Sequence, residues 1–170
     1  AENFKVYGID LSVVSINNCK KLFSSTKNKP NLKSGNMIAL PYKNNYFNVI
    51  IDIFSSYNLN KNEGNIFLKE VRRTLKKNGI FFSYFPSKNS DAWKKENGKN
   101  LIDSCTLDGF KRLNSPFYGN NYPFRFLNKT EYANLLKKNN FTIQYFEKII
   151  KSYRSGKEIF EFLIIESKKK

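Results

Sequence analysis

Val6, Tyr7 and Ile9 form a short apolar run that stops at Asp10, and from Ser12 the apolar positions change to three- and four-residue steps. The first pattern predicts a strand over about Lys5–Ile9, because β-branched and aromatic residues suit a pleated, half-buried surface. The second predicts a helix over about 12–23, with Val13, Ile16, Cys19 and Phe23 on its apolar face and Ser12 as N-cap. The polar stretch Ser24–Pro30 ends it, and Asn31–Ser34 reads as a short extended piece. Phe47–Phe54 is the most continuous apolar run in the first half. It predicts a strand buried on both faces, hence central and parallel, with Asp52 as its one charge.

A helix is predicted over about 62–77, with Ile66, Phe67, Val71 and Leu75 on one face and Lys69, Arg72, Arg73 and Lys76 on the other. Asn78-Gly79 is a helix stop, and Ile80–Phe85 is the next strand, closed by Pro86. Residues 87–122 show no clear period; short helices are expected at 91–97 and 105–113, within a lid or insertion. Order returns at Asn128, where Glu131 three residues on suggests a capping box for a helix carrying Tyr132, Leu135 and Leu136. Phe141–Ile150 and Lys157–Ser167 flank Tyr153-Arg-Ser-Gly156 and predict a β-hairpin. Alternating strands and helices point to an α/β fold: a mostly parallel sheet with helices on both faces and an antiparallel C-terminal hairpin, in one domain spanning 1–170.

Composition narrows the chemistry. The 170 residues contain no histidine, which removes Ser-His and Cys-His nucleophile pairs and histidine metal clusters. Cys19 and Cys105 lie far apart and in no motif, so neither a disulfide framework nor a zinc site is expected. No apolar run approaches membrane-helix length, and a cytoplasmic location is expected. The net charge of +16, from 30 Lys and Arg against 14 Asp and Glu, favours polyanions in general. Lys is scattered along the chain, however, and only Lys168–Lys170 forms a run.

Three segments together resemble the class I S-adenosylmethionine-dependent methyltransferases, a Rossmann-like family, in its small-molecule group. Val6-Tyr-Gly-Ile-Asp10-Leu-Ser12 is similar to the family's second strand, with the acidic residue that takes the ribose hydroxyls. Gly35-Asn36-Met37 and Leu40-Pro41-Tyr42, leading into Tyr46-Phe47-Asn48-Val49, resemble Gly-Asp-Ala, Leu-Pro-Phe and Phe-Asp-Val-Val. Phe67–Ile80 resembles the helix and turn before the fifth strand, and Phe124-Arg125-Phe126 with the closing hairpin resembles the family's tail. Asn36 and Asn48 replace the usual Asp. Nothing matches the family's first strand and glycine-rich loop, so the resemblance implies that these lie upstream of Ala1 in a longer polypeptide, or else that another chain supplies the strand.

The resemblance implies S-adenosyl-L-methionine as cofactor, bound by Asp10 at the ribose, Leu11, Asn36 and Met37 at the adenine, and Asp52 and Ile53 beside the methionine part. Tyr57 and Arg125 are expected on the substrate side, with Trp93, Phe117 and Tyr118 of the insertion shaping it. No catalytic residue and no metal is assigned. The acceptor is expected to be a small molecule. Two alternatives stay open: from the charge, a nucleic-acid-binding or nucleic-acid-methylating protein on the same fold, and from the unmatched glycine-rich loop, a non-catalytic scaffold. A stripe of Lys beside Asp10 and Tyr57 would favour the nucleic-acid reading.

Overall fold

A computed structural model describes residues 4–96 and 100–170. The chain divides into two compact units, Ala1–Tyr42 and Lys43–Lys170. In the first, β1 (Tyr7–Asp10) pairs in parallel with β2 (Asn31–Ser34), and α1 (Val13–Leu22) connects them. Ser12 caps α1, its side chain accepting the Ser15 N–H at 3.1 Å. The expected apolar face is only partly realised: Ile16 is buried, whereas Val13, Phe23 and Cys19 are exposed. Two four-residue strands offer too little apolar surface to cover a ten-residue helix.

The second unit is built on a four-stranded sheet of order β3-β4-β9-β8: β3 (Phe47–Ile53), β4 (Leu75–Pro86), β8 (Phe141–Tyr153) and β9 (Glu158–Lys169). β3 runs parallel to β4, and β9 is antiparallel to both β4 and β8. The fold is therefore α/β with mixed sheets. The last hairpin supplies two full strands, not merely an edge. β9 is the strand buried on both faces. Phe160 and Phe162 point to one side, Leu163 and Ile165 to the other. β3, expected in that role, is the end strand of the order. Val49, Ile51 and Ile53 on one face are half exposed or more, and Asp52 on the other is buried.

Helix α2 (Lys61–Thr74) packs Phe67, Leu68 and Val71 inward. It starts at a capping box, Asn60 with Glu63, and ends three residues earlier than the cationic run predicts. Leu75 leaves the helix to pair with Phe47 on β3. The Thr74 hydroxyl donates to Glu70 O at 2.8 Å, finishing the last turn. The second capping box, Asn128 with Glu131, opens α4 (Lys129–Lys138) as expected, burying Tyr132 and Leu136.

The insertion is folded. The helix expected at its start is α3 (Asp91–Lys94); residues 97–99 lie outside the described residues. The helix expected over 105–113 is instead β6 (Thr106–Asp108) and a turn. β6 sits between β5 (Leu101–Asp103) and β7 (Pro123–Arg125) in an antiparallel three-stranded sheet. Gly109 permits the turn: its φ is +73°, and a Cβ there would lie 2.3 Å from Asn120 O. Phe110, Phe124 and Phe126 join Tyr84, Phe160 and Phe162 in a second core, against which Tyr57, Trp93 and Phe117 pack. Burial of these large rings dominates the insertion's stability.

Candidate active site

In the first unit, Asp10 ends β1 at the carboxyl edge of a parallel pair, where α/β sheets place ligand-binding groups. Its Oδ1 accepts the Ser12 N–H at 2.7 Å, which fixes the carboxylate while leaving it exposed. Leu11, beside it, is 66% exposed, an apolar side chain available to lie against a flat ring. β2 ends next to β1, with Asp10 opposite Ser34 and the Gly35 N–H donating to Asp10 O at 2.9 Å. That pairing brings Asn36 and Met37 to the same edge. The Asn36 Oδ1 accepts the Ile38 N–H at 3.1 Å, which turns the carboxamide and leaves its exposed NH₂ as a donor. An exposed carboxylate, an apolar platform and an amide donor fit a ribose and an adenine edge.

In the second unit, Asp52 ends β3 but faces inward. Its oxygens accept the Ser56 N–H at 3.0 Å and the Ser56 hydroxyl at 2.5 Å. Burial pushes its pKa up, opposed by the Ser56 bonds and the Arg125 charge. Asp52 thus caps the 3₁₀ turn Ser56–Asn58, and Ile53, 54% exposed, is the neighbour that faces outward. Phe54 follows with φ +53°, a left-handed conformation that is rare for a bulky residue. Its ring is held edge-to-face by Tyr84 at 4.6 Å and Phe162 at 5.3 Å. Tyr57 packs on Phe124 at 4.3 Å, and burial raises its pKa.

Arg125 lies in the interior, 3% exposed. One NH₂ group donates to Ser56 O at 3.1 Å, the guanidinium sits 5.1 Å from the centre of the Phe85 ring, and Nε has no hydrogen-bond partner among the described residues. The room comes from Gly64 on α2, where a Cβ would meet the guanidinium at 1.5 Å. Asp52 and Arg125 therefore both hold Ser56, the first residue of the turn, a carboxylate on its N–H and hydroxyl and a guanidinium on its carbonyl. Gly64 and Ser56 were not singled out by the sequence; the Asp-x-x-x-Ser spacing was the only available signal. Trp93 and Phe117 pack on the second core, and Tyr118 is exposed. No lysine contacts Tyr57 in the hydrogen bonds or ring contacts of the described residues; the cations of this unit gather where β3 begins, the other end of the strand.

Residues 1–83 match the family model described as a methyltransferase domain. The fold agrees. A S-adenosylmethionine-dependent methyltransferase from Methanosarcina mazei superposes with a TM-score of 0.81 at 20% identity, covering 99% of this chain and 83% of that one. A protein from Pyrococcus horikoshii gives 0.73 at 24% identity, over 99% and 73%. The 1,6-didemethyltoxoflavin-N1-methyltransferase of Burkholderia thailandensis, solved with 1,6-didemethyltoxoflavin and S-adenosylhomocysteine, gives 0.69 at 14% identity, over 99% and 62%. No curated protein matches the chain. Residues 1–83 thus match a methyltransferase domain, and the chain as a whole has the fold of these S-adenosylmethionine-dependent neighbours. The domain match points to methyl transfer as the reaction class. Among the described residues no helix is long and apolar enough to cross a membrane.

Proposed function

We propose that the chain transfers a methyl group from S-adenosyl-L-methionine to a small molecule, and that Asp10, Leu11, Asn36 and Met37 hold the adenosine part of this cofactor. The cofactor supplies an electrophilic sulfonium methyl; the acceptor's lone pair takes it as the carbon–sulfur bond breaks. Asp10 accepts from the ribose hydroxyls, Leu11 lies on the adenine ring, and the Asn36 carboxamide meets its edge. Asp52 and Arg125 serve the same reaction indirectly, as positioning residues that fix the Ser56 turn and so the ring of Tyr57. Holding the acceptor in line and away from water is the protein's main lever on such a transfer.

The observation that carries the acceptor class is the aromatic wall at the end of β3. Phe54, Tyr57 and Phe124 pack ring on ring there, which suits a compact, partly apolar acceptor better than a phosphate backbone. The B. thailandensis neighbour, whose bound acceptor is a small heterocycle, supports the reading by likeness of fold.

Calorimetry with S-adenosylhomocysteine tests the cofactor half. Asp10→Asn keeps an acceptor for the Ser12 N–H, so the melting temperature should hold while affinity falls ~10-fold or more, the loss of a charge-assisted pair. Unchanged affinity in this variant removes Asp10 from the site. For the acceptor, donor carrying a labelled methyl group is incubated with a cell extract. Label in the dialysable fraction is expected, and label confined to RNA or protein overturns the proposal.

A further inference from the structure

At one end of the second unit, β3 and β4 begin, β9 ends, β8 begins, and α2 and α4 both terminate. The register fixes this: Ile80 and Thr142 both pair with Lys168, and Phe141 pairs with Lys169. The main-chain N–H of Lys170 donates to Asn140 O. Ten cations collect there: Lys43, Arg72, Arg73, Lys76, Lys77, Lys137, Lys138 and Lys168–Lys170. Among the described residues of this unit, the carboxylates that accompany them are Glu70 and Glu166. The remainder of residues 43–170 holds fourteen cations against ten carboxylates. The scatter seen along the sequence thus becomes, in space, a concentration of charge at this pole.

Few of these charges are neutralised. Arg73 pairs with Glu70 at 2.7 Å. Lys76 Nζ donates to Asn48 Oδ1 at 3.0 Å and Lys169 Nζ to Asn45 Oδ1 at 2.9 Å, neutral carboxamides that steer the ammonium groups without cancelling them. Lys169 also donates to Leu75 O at 2.6 Å, and its pKa is lowered by burial and by the charge of Arg72. Lys76, Lys77, Lys137 and Lys138 are exposed. Among them stands Tyr46, 38% exposed, its ring braced edge-to-face at 4.9 Å by Phe47. The Tyr46 N–H donates to Thr74 O at 2.7 Å, tying that ring to the end of α2.

We propose that this pole is a docking surface for single-stranded nucleic acid, its lysines contacting phosphates and Tyr46 stacking on a base. An exposed aromatic ring set among cations suits a base-bearing chain; a lipid surface would call for an apolar wedge, and at this end Leu75 and Phe141 are buried and Phe47 partly so. Within this unit, the surface lies away from the aromatic wall that follows β3. The seven residues of β3 put it about 20 Å from Ile53 along the strand. It holds whatever the methyl acceptor is.

The test is fluorescence anisotropy with labelled fifteen-residue oligouridine and oligothymidine over about 50 to 200 mM KCl. Wild type should bind with a steep salt dependence. Lys76→Gln/Lys77→Gln/Lys137→Gln/Lys138→Gln should flatten the slope of log K against log salt by about 3, four contacts at ~0.7 each for a single strand. Its affinity should fall ~10-fold or more at the lowest salt. A control with the same charge change elsewhere, Lys94→Gln/Lys111→Gln/Lys151→Gln/Lys157→Gln, should lose ~3-fold or less. Tyr46→Leu should weaken binding ~5-fold or more with an unchanged slope, the loss of one stacked base. Circular dichroism melts verify that each variant is folded, and S-adenosylhomocysteine calorimetry on the same samples reads the cofactor site separately. Equal losses in pole and control variants overturn the proposal. So does absence of binding by wild type, or binding to phosphatidylserine vesicles in place of both oligonucleotides. A difference between the two oligonucleotides distinguishes an RNA from a DNA partner.

Discussion

Gly64→Ala is expected to destabilise this protein although it places a better helix former inside a helix. Alanine at an interior position ordinarily gains roughly 0.5–1 kcal/mol over glycine. Here the new Cβ would lie 1.5 Å from one terminal nitrogen of Arg125, 2.2 Å from the guanidinium carbon and 2.5 Å from the other nitrogen. The group cannot keep its place. Moving it breaks the charge-assisted bond to Ser56 O, about 1.5–3 kcal/mol, and the contact over Phe85, about 0.5–2 kcal/mol for a desolvated pair. A net loss of roughly 1–4 kcal/mol follows once the helix gain is subtracted. Urea unfolding of wild type, Gly64→Ala, Arg125→Met and the double variant measures it. In the Arg125→Met background the same alanine should be neutral or stabilising, because no guanidinium remains to displace. A single Gly64→Ala variant more stable than wild type refutes the reasoning, as does strict additivity in the cycle.

Three further outcomes follow from individual side chains. Burial alone would raise the pKa of Glu161, but hydrogen bonds from Ser87 and Asn89, with Lys148 nearby, bring it below the usual glutamate value. Its contribution to stability is therefore present above the unfolded pKa and lost as pH falls through the lowered one; Glu161→Gln should flatten the acid limb of a stability–pH curve, and an unchanged limb refutes this. Asn60→Ala removes the α2 cap and should cost about 1 kcal/mol in urea unfolding, whereas Asn60→Asp should keep most of it; equal losses in the two would count against the capping box. Cys105 is buried, and burial with the neighbouring Asp103 pushes its thiol up to about 11, so a thiol reagent at pH 8 should modify Cys19 quickly and Cys105 only on unfolding, with two fast thiols as the refuting result.

What could be read from the chain by itself was local. Apolar period and cap chemistry sufficed for β1, α1, α4 and the closing hairpin, since a capping box or an alternating run acts over a few residues whatever surrounds it. The same holds for Asp10, whose position at a strand end is a matter of sequence order. The Asn60–Glu63 box is equally local, but the apolar pattern passes over it and puts the start of α2 at about residue 62. The family resemblance also rested on order and spacing, and the methyltransferase domain over residues 1–83 agrees with it.

Tertiary structure decided the rest, because the forces involved join residues far apart in sequence. Leu75 leaves its helix for Phe47 because a buried strand partner outweighs the modest helix preference of the lysines beyond it. Strands of three residues are too short to show a period, so the sheet of β5, β6 and β7 exists only through pairings between segments. Whether a continuous apolar run is flanked by one strand or two depends on its neighbours; β3 and β9 exchange the roles expected of them for that reason. Arg125, expected on the substrate side, is buried beside Ser56 because Gly64, 61 positions earlier, leaves room for its guanidinium. And lysines that look evenly spread along the chain converge on one pole, since charge is counted along the sequence but felt in space.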